Sequence, residues 1–375
     1  MDSNGIYLLL YFCVILFFVI LGCYMLAQRD NILSTHGEQE AKRRMTNSVG
    51  FFMFVWALQC MVYLPSILRY GYEETQKGYD LCFLVTVMLN TPSVFVVMHS
   101  ILQKKLKALK WIGIIGLPFL ALTTWHIITP AELSGRLPIY IAAVLVVIDM
   151  AYLFIRYISE YRIYIQRIKT EYSEISGREI TWAWSCFAGF ALQSLLYILY
   201  QFYWSVVVEY VYMAFSIINA TYLCYCVCHQ KPLDSGVVEE KVAGNDAMEE
   251  KSEPKAEEEQ KEFYSVIEEK LEALCEGKML YLEPDLTRES LCLRLSIGRT
   301  YLSMYLSSRG LTFYQYINSL RVDYAVNLMQ DNPGMSIREV CELSGFRSQT
   351  TFRKVFQEVM GCLPSEIKSK NNLHE

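Results

Sequence analysis

From Arg347 to Gln357 the chain reads RSQTTFRKVFQ, a run of hydroxyl, amide, guanidinium and ammonium groups with no acid from Leu343 to Gln357. At helical spacing Thr350, Arg353, Lys354 and Gln357 share one side. Phe352, Val355, Phe356 and Val359 share the other and form an apolar face. Arg347, Ser348 and Gln349 stand at the start of this helix. Guanidinium and amide groups on a short helix bond base edges in a major groove, and lysines and hydroxyls bond phosphate oxygens. The plainer reading is a helical hairpin inside an ordinary bundle.

The elements that must position these groups are legible nearby. Ser336 and Glu339 form an S-x-x-E capping box that starts a preceding helix. Gly345 supplies a residue free to take the left-handed conformation at that helix's end, and Ser348 caps the next one. Two short helices across a tight turn have the form of a helix-turn-helix. The unit repeats: Leu302, Leu306 and Ile317 precede Phe352, Phe356 and Ile367 by fifty residues, and Gly310 matches Gly361 with one residue of slippage. In the earlier copy the outward groups are Arg299, Thr300 and Ser303, with no acid from Ser290 to Val322. A longer helix carrying Ile317, Leu320, Tyr324 and Leu328 connects the copies and stops at Asp331-Asn332-Pro333-Gly334. Two such units would face successive major grooves, roughly 34 Å apart.

This stretch resembles the DNA-binding domain of the AraC/XylS family of bacterial transcription regulators, from about Tyr281 to Ile367. The matches are Ser344-Gly345-Phe346, Phe352, Phe356, Gly361 and Pro364, and earlier Gly310-Leu311-Thr312-Phe313, Tyr316-Ile317 and Arg321. Cys292 and Cys341 stand where the family usually has a small alanine, and cysteine also packs as a small hydrophobe. Glu366 to Lys368 lacks the family's usual aromatic-Arg ending. The resemblance implies double-stranded DNA as partner.

The rest of the chain is of another character. It has 375 residues, 53% of them hydrophobic, and a net charge of -5. Residues 1–233 carry +3, residues 234–262 carry -7 and residues 263–375 carry -1. A net charge of -1 is low for a DNA-binding domain, since phosphate contact supplies most of the affinity. Modest affinity from one copy, and therefore a homodimer, is expected. The twelve cysteines include no paired C-x-x-C motifs, and Cys224, Cys226 and Cys228 step by roughly 200° around a helix, so no metal site is expected. With no phosphate-binding glycine loop or catalytic triad either, the chain is expected to be no enzyme and to need no cofactor.

Seven apolar runs fill the first 228 residues: Ile6–Ala27, Ser48–Leu68, Leu81–Ser100, Trp111–Ile128, Leu137–Phe154, Thr181–Trp204 and Val206–Cys228. Each is near the roughly 20 residues that cross a bilayer. The odd-numbered loops hold thirteen Lys and Arg, the even-numbered ones three. The positive-inside rule then puts the N-terminus outside and the C-terminal domain in the cytoplasm, with the DNA. That places the protein in a bacterial cytoplasmic (inner) membrane, the lipid bilayer being its second partner.

Polar groups inside apolar spans are costly and suggest either interhelical bonds or a site. Asp149, Asn90, Gln193 and Asn219 are the candidates for sensing an unknown small-molecule or membrane signal, with Asp149 as the floor of a polar cavity. The fifth loop, FIRYISEYRIYIQRIKTEYSE, reads as a helix leaving the membrane. Residues 234–262, rich in Glu and Lys, read as a disordered tether of about 30 Å coil dimension. An amphipathic helix with Phe263, Val266, Ile267, Lys270, Leu271 and Leu274 then opens the soluble domain.

The expected fold is all-α: a seven-helix transmembrane bundle over residues 1–230, an acidic linker over 231–262, and a soluble double helix-turn-helix domain over 263–375. The expected function is that of a membrane-bound one-component transcription regulator. The rival is a transporter-like or merely anchoring membrane protein whose helical domain mediates protein contacts.

Overall fold

A computed structural model describes residues 3–28, 36–70, 76–102, 108–129, 135–175, 178–203, 206–233, 264–272 and 279–371. The acidic stretch 234–262 lies outside them, as do Lys104, Lys105, Lys107, Phe263 and Leu274. Among the described residues the chain is helical, with a single isolated β-bridge. By contacts it divides into two compact units, Met1–Arg162 with Ile180–Gly236, and Ile163–Glu179 with Val237–Glu375.

The first unit is built on seven long helices: α1 (Ser3–Ala27), α2 (His36–Tyr70), α3 (Gln76–Ile101), α4 (Ala108–Ile128), α5 (Leu137–Glu171), α6 (Trp182–Phe202) and α7 (Val206–His229). Six contain stretches long and apolar enough to cross a membrane; the apolar part of α4, Ile112–Ile128, is shorter. Large side chains such as Leu16, Ile20, Leu117, Val144, Ile155 and Ile218 point outward, more than half exposed, as a lipid-facing surface requires. Small residues let backbones close up: a Cβ on Gly50 would come 3.2 Å from the carbonyl of Gly22, so α1 and α2 meet there through glycine. Helix α3 continues through Pro92.

Polar groups fasten the ends of this unit. The Lys42 ammonium donates to the carbonyls of Val227, Cys228 and Gln230 at 2.6, 2.7 and 2.8 Å. These carbonyls end α7 without intrahelical partners, and a cation there also suits the helix dipole. Elsewhere Arg136 pairs with Asp80 at 3.0 Å, and Gln201 donates to the same carboxylate at 2.7 Å.

The second unit contains α8 (264–271), a single 3-10 turn (Leu280–Leu282), α9 (Arg288–Leu295), α10 (Arg299–Ser308), α11 (Phe313–Asp331), α12 (Ile337–Leu343), α13 (Gln349–Met360) and α14 (Pro364–Asn371). The amphipathic α8 turns Ile267 and Leu271 into a core with Leu291, Leu295, Leu302, Leu306, Phe313 and Ile317. Helix α11 ends at Asp331, where the Asp-Asn-Pro-Gly run predicts. Helix α14 forms although the aromatic-Arg ending is absent, and Lys368 near its end donates to the Met335 carbonyl at 2.6 Å.

The last residues of α5 and the turn after it, Ile163–Glu179, also belong to this unit. They form a hairpin closed by the Tyr164 hydroxyl on the Arg178 carbonyl at 3.0 Å. Its tip is edge-bonded: Tyr172 bridges Thr287 in antiparallel fashion, and Ser173 donates to the Leu286 carbonyl from N at 3.3 Å and from Oγ at 2.7 Å.

Candidate nucleic-acid interface

The second helix-turn-helix is assembled by local chemistry. Ser336 Oγ accepts from the Glu339 amide at 3.2 Å, and Glu339 Oε2 accepts from the Ser336 amide at 2.8 Å, the reciprocal box that starts α12. Hydrogen bonding to the carboxyl, first from the Ser336 backbone amide and then from the Ser336 side chain, holds Glu339 below its ordinary range. Helix α12 ends on Gly345 at φ 79°, and a Cβ there would stand 2.6 Å from the Leu282 carbonyl oxygen. Both the turn and the close approach therefore require glycine. Ser348 Oγ accepts from the Thr351 amide at 3.2 Å and caps α13.

Helix α13 buries Phe352, Val355 and Phe356, with the Phe346, Phe352 and Phe356 rings in series at 5.2 and 5.5 Å. Val359 does not join this face; it is 42% exposed, one turn beyond the core. On the other side Arg347, Gln349, Thr350, Arg353 and Lys354 are exposed. Ser348 is half-buried because its hydroxyl serves as the cap.

The first helix-turn-helix follows the same plan with different residues. Thr287 and Ser290 make a reciprocal capping box at the start of α9. The turn is made by Ser296 at φ 53°, the position that Gly345 fills in the second unit. Helix α10 starts after Gly298, which offers no side-chain cap. It buries Leu302, Tyr305 and Leu306. Thr300 is exposed, while Arg299 and Ser303 are half-buried.

The outward groups are not all at liberty. Arg299 pairs with Glu289, and Arg347 with Asp285. The Arg288 guanidinium donates to Ser303 Oγ. Glu289 immediately precedes the first acid-free window, whereas Asp285 is 62 residues from Arg347 in sequence. The Arg347–Asp285 pair is largely exposed, the kind of contact worth about 0–1 kcal/mol, so a phosphate can displace the carboxylate. Arg353 and Lys354 are the exposed cations of α13.

The four candidate sensing residues separate. Gln193 lines a small cavity of about 50 Å³ in the first unit, together with Tyr11, Tyr63, Tyr197, Glu209 and Tyr212. Its Nε2 donates to Ser216 Oγ at 2.8 Å, while its Oε1 and Gln59 Nε2, both buried, have no hydrogen-bond partner within the protein. Asn90 accepts from Trp56 Nε1 at 3.1 Å and lines a smaller neighbouring cavity with Gln193. Asn219 faces Gly189 so closely that a Cβ there would meet its Oδ1 at 2.5 Å. Asp149 is half-buried and lines neither cavity.

The structure adds residues that local patterns do not reveal. Arg321 is fully buried; it donates to the carbonyls of Tyr281 at 2.6 Å and Glu283 at 2.7 Å, and to Ser173 Oγ at 3.2 Å. Burial pushes its pKa down to about 10. Arg288 pairs with Glu171 at 2.6 Å, both nearly inaccessible. Nothing in sequence marks Glu171 as the partner of Arg288, or Ser173 as that of Arg321. Glu209 and the tyrosines of the cavity come from four helices, so no single window displays them as a set.

Residues 291–370 match the family described as a helix-turn-helix domain. Two similar proteins are the TCP pilus virulence regulatory proteins of Vibrio cholerae serotype O1, Classical Ogawa 395 and El Tor Inaba N16961. Each is 33% identical over 116 residues, which is 28% of this chain and 42% of the relative. The chain thus spans less than half the length of these relatives. No solved structure matches it. Residues 291–370 form an AraC-type helix-turn-helix domain.

Proposed function

We propose that the chain is a membrane-embedded one-component transcription regulator whose two helix-turn-helix units bind promoter DNA under control of a signal sensed in the membrane part. One observation carries this reading. Two short helices fifty residues apart in start, Arg299 and Gln349, each bury one apolar face and carry hydroxyl and guanidinium groups on the other, the second adding the amides of Gln349 and Gln357. They share a chain with six helices long and apolar enough to cross a bilayer. Relatives 33% identical over 116 residues are described as virulence regulatory proteins, which supports a regulatory role. We place the N-terminus outside and the DNA-binding domain in the cytoplasm, and expect pairing of two copies to supplement the affinity of a domain with little net charge.

Mapping of the DNA crosslinked to the full-length protein in cells tests this. Recurrent sites with two half-sites roughly 34 Å apart are the expected result. Recovery of DNA at all also requires the domain to be cytoplasmic; no enrichment over background, with the protein abundant in the membrane, would sink both the function and the orientation. The second reading, a protein-contact module, draws on the pairing of Arg299 and Arg347 with acids. It gains if mapping fails while copurification from the membrane finds a stoichiometric partner.

For the signal, the cavity around Gln193 is better equipped than Asp149. It is mostly apolar, ringed by tyrosines and supplied with Gln193 Oε1 and Gln59 Nε2, the pattern of a small-molecule site. Gln193→Leu should leave DNA binding by the full-length protein within about twofold while shifting target transcript levels by at least about threefold. Unchanged transcript at normal abundance would move sensing away from this cavity.

A further inference from the structure

The DNA-binding unit includes a piece of chain, within Ile163–Glu179, that lies outside the residues matched by the helix-turn-helix family. We infer that residues 171–174 are an integral seat of the DNA-binding fold, and that this hairpin, which lies between two apolar helices in sequence, sets the first reading helix through Glu171, Arg288 and Ser303. The inference rests on the DNA-binding reading above.

Four observations support it. The hairpin tip is held by backbone as well as side chains: the Tyr172–Thr287 bridge and the bonds from Ser173 to the Leu286 carbonyl. The tip is buried, with Ser173 1%, Glu171 4% and Ile175 5% exposed. It satisfies groups of α11 that would otherwise be stranded, since Asn318 Nδ2 donates to the Ser173 carbonyl at 3.0 Å and Arg321 reaches Ser173 Oγ. Finally, Arg288 joins Glu171 on one side to Ser303 on the other. Arg288 stands at the first position of α9, next to the Thr287 cap that bridges Tyr172. Ser303 lies on α10, the reading helix.

The physical consequence follows from burial. A carboxylate and a guanidinium nearly inaccessible to water cannot be separated without leaving an uncompensated charge. Displacing Glu171 therefore frees Arg288, loosens its hold on Ser303, and removes the bridging strand beside the α9 cap. A shift of the hairpin is transmitted to α9 and α10 by a charge pair and two hydrogen bonds. The covalent linker is then not the only connection from the apolar helices to the reader. The hairpin is a second route, and it ends on the reading helix.

The test uses the full-length protein in lipid nanodiscs. Hydrogen exchange of the backbone amides over 286–303 is read without DNA, and affinity for a mapped promoter site is read separately. Glu171→Arg should speed exchange over 286–303 by at least about tenfold, while exchange over 349–360 changes less. It should weaken promoter binding by about tenfold or more. The exchanged pair, Glu171→Arg with Arg288→Glu, should recover most of the protection. Glu171→Gln, which is milder and keeps the shape, should give a smaller change of the same sign. Exchange over 286–303 within twofold of the parent in Glu171→Arg overturns the inference, and so does a swapped pair no better protected than either single change. Failure of the DNA-binding reading would appear differently, as normal exchange effects with no promoter affinity in any form of the protein.

Discussion

Arg321→Leu should cost the second unit about 3–5 kcal/mol, the usual loss when one partner of a buried charged network is removed. The guanidinium is fully buried in α11 and bonds two carbonyls of the 3-10 region, Tyr281 and Glu283, and the Ser173 hydroxyl. Its plane also lies 5.6 Å from the Phe346 ring, in the turn of the second helix-turn-helix. One side chain thus fastens the 3-10 turn, the hairpin tip and the second unit to the central helix. Leucine has similar bulk but takes the guanidinium donor from the Tyr281 carbonyl and the Ser173 hydroxyl, each loss costing about 1–3 kcal/mol, while the Glu283 carbonyl keeps the Leu286 amide at 3.1 Å. Lysine keeps the charge but not the fork, so Arg321→Lys should fall between. Pulse proteolysis of the full-length protein in increasing urea measures the change, read on fragments from 279–371. A loss under about 1 kcal/mol for Arg321→Leu would show that the carbonyls find other donors.

Arg353→Ala should weaken promoter binding by about 1–3 kcal/mol, a factor between roughly 5 and 150, and relax preference at one base position. The argument is positional. Phe352 and Phe356 fix the rotation of α13, and Arg353 stands outward next to the buried Phe352, exposed and without the acid partners that hold Arg299 and Arg347. Lys354→Ala should instead lower affinity for all sequences alike and reduce the salt dependence by about one counterion. Both substitutions lie on an exposed face, where stability should change by less than about 0.5 kcal/mol. Binding by Arg353→Ala equal to the parent on every sequence, with the fold intact, would remove Arg353 from the reading surface.

What sequence displays and what it hides follows from how local the chemistry is. Ser336 with Glu339, Ser348 and Gly345 each act within one turn of chain, and the structure finds each where its type predicts. The buried faces of α10 and α13 were equally legible from spacing, with Val359 the exception because the core ends a turn earlier. Ser296 was not legible, since nothing in serine marks a positive φ; only the forty-nine-residue step back from Gly345 locates it. Glu289 stands one residue before the first acid-free window, and Asp285 reaches Arg347 across 62 residues, so neither partner shows inside a window. Asp149 drew attention as a lone carboxyl in an apolar run, yet cavities are shaped by several helices, and the one around Gln193 forms without it. The hairpin contacts join residues 113 to 148 apart in sequence, such as Ser173 with Leu286 and Arg321. No periodicity carries information over that separation.

The discontinuity of the second unit bears on how such a chain is inherited. Its aligned core, residues 291–370, looks portable, a block that recombination can move between genes with a breakpoint in the acidic stretch before it. Yet a block cut there leaves Glu171 and Ser173 behind in the donor, while Arg288, Asn318 and Arg321 travel to the recipient without their acceptors. The exchangeable piece is therefore not a contiguous run of codons. A descendant that keeps the reader but replaces the helices before it must either carry the hairpin along or rebuild its three polar contacts from new sequence.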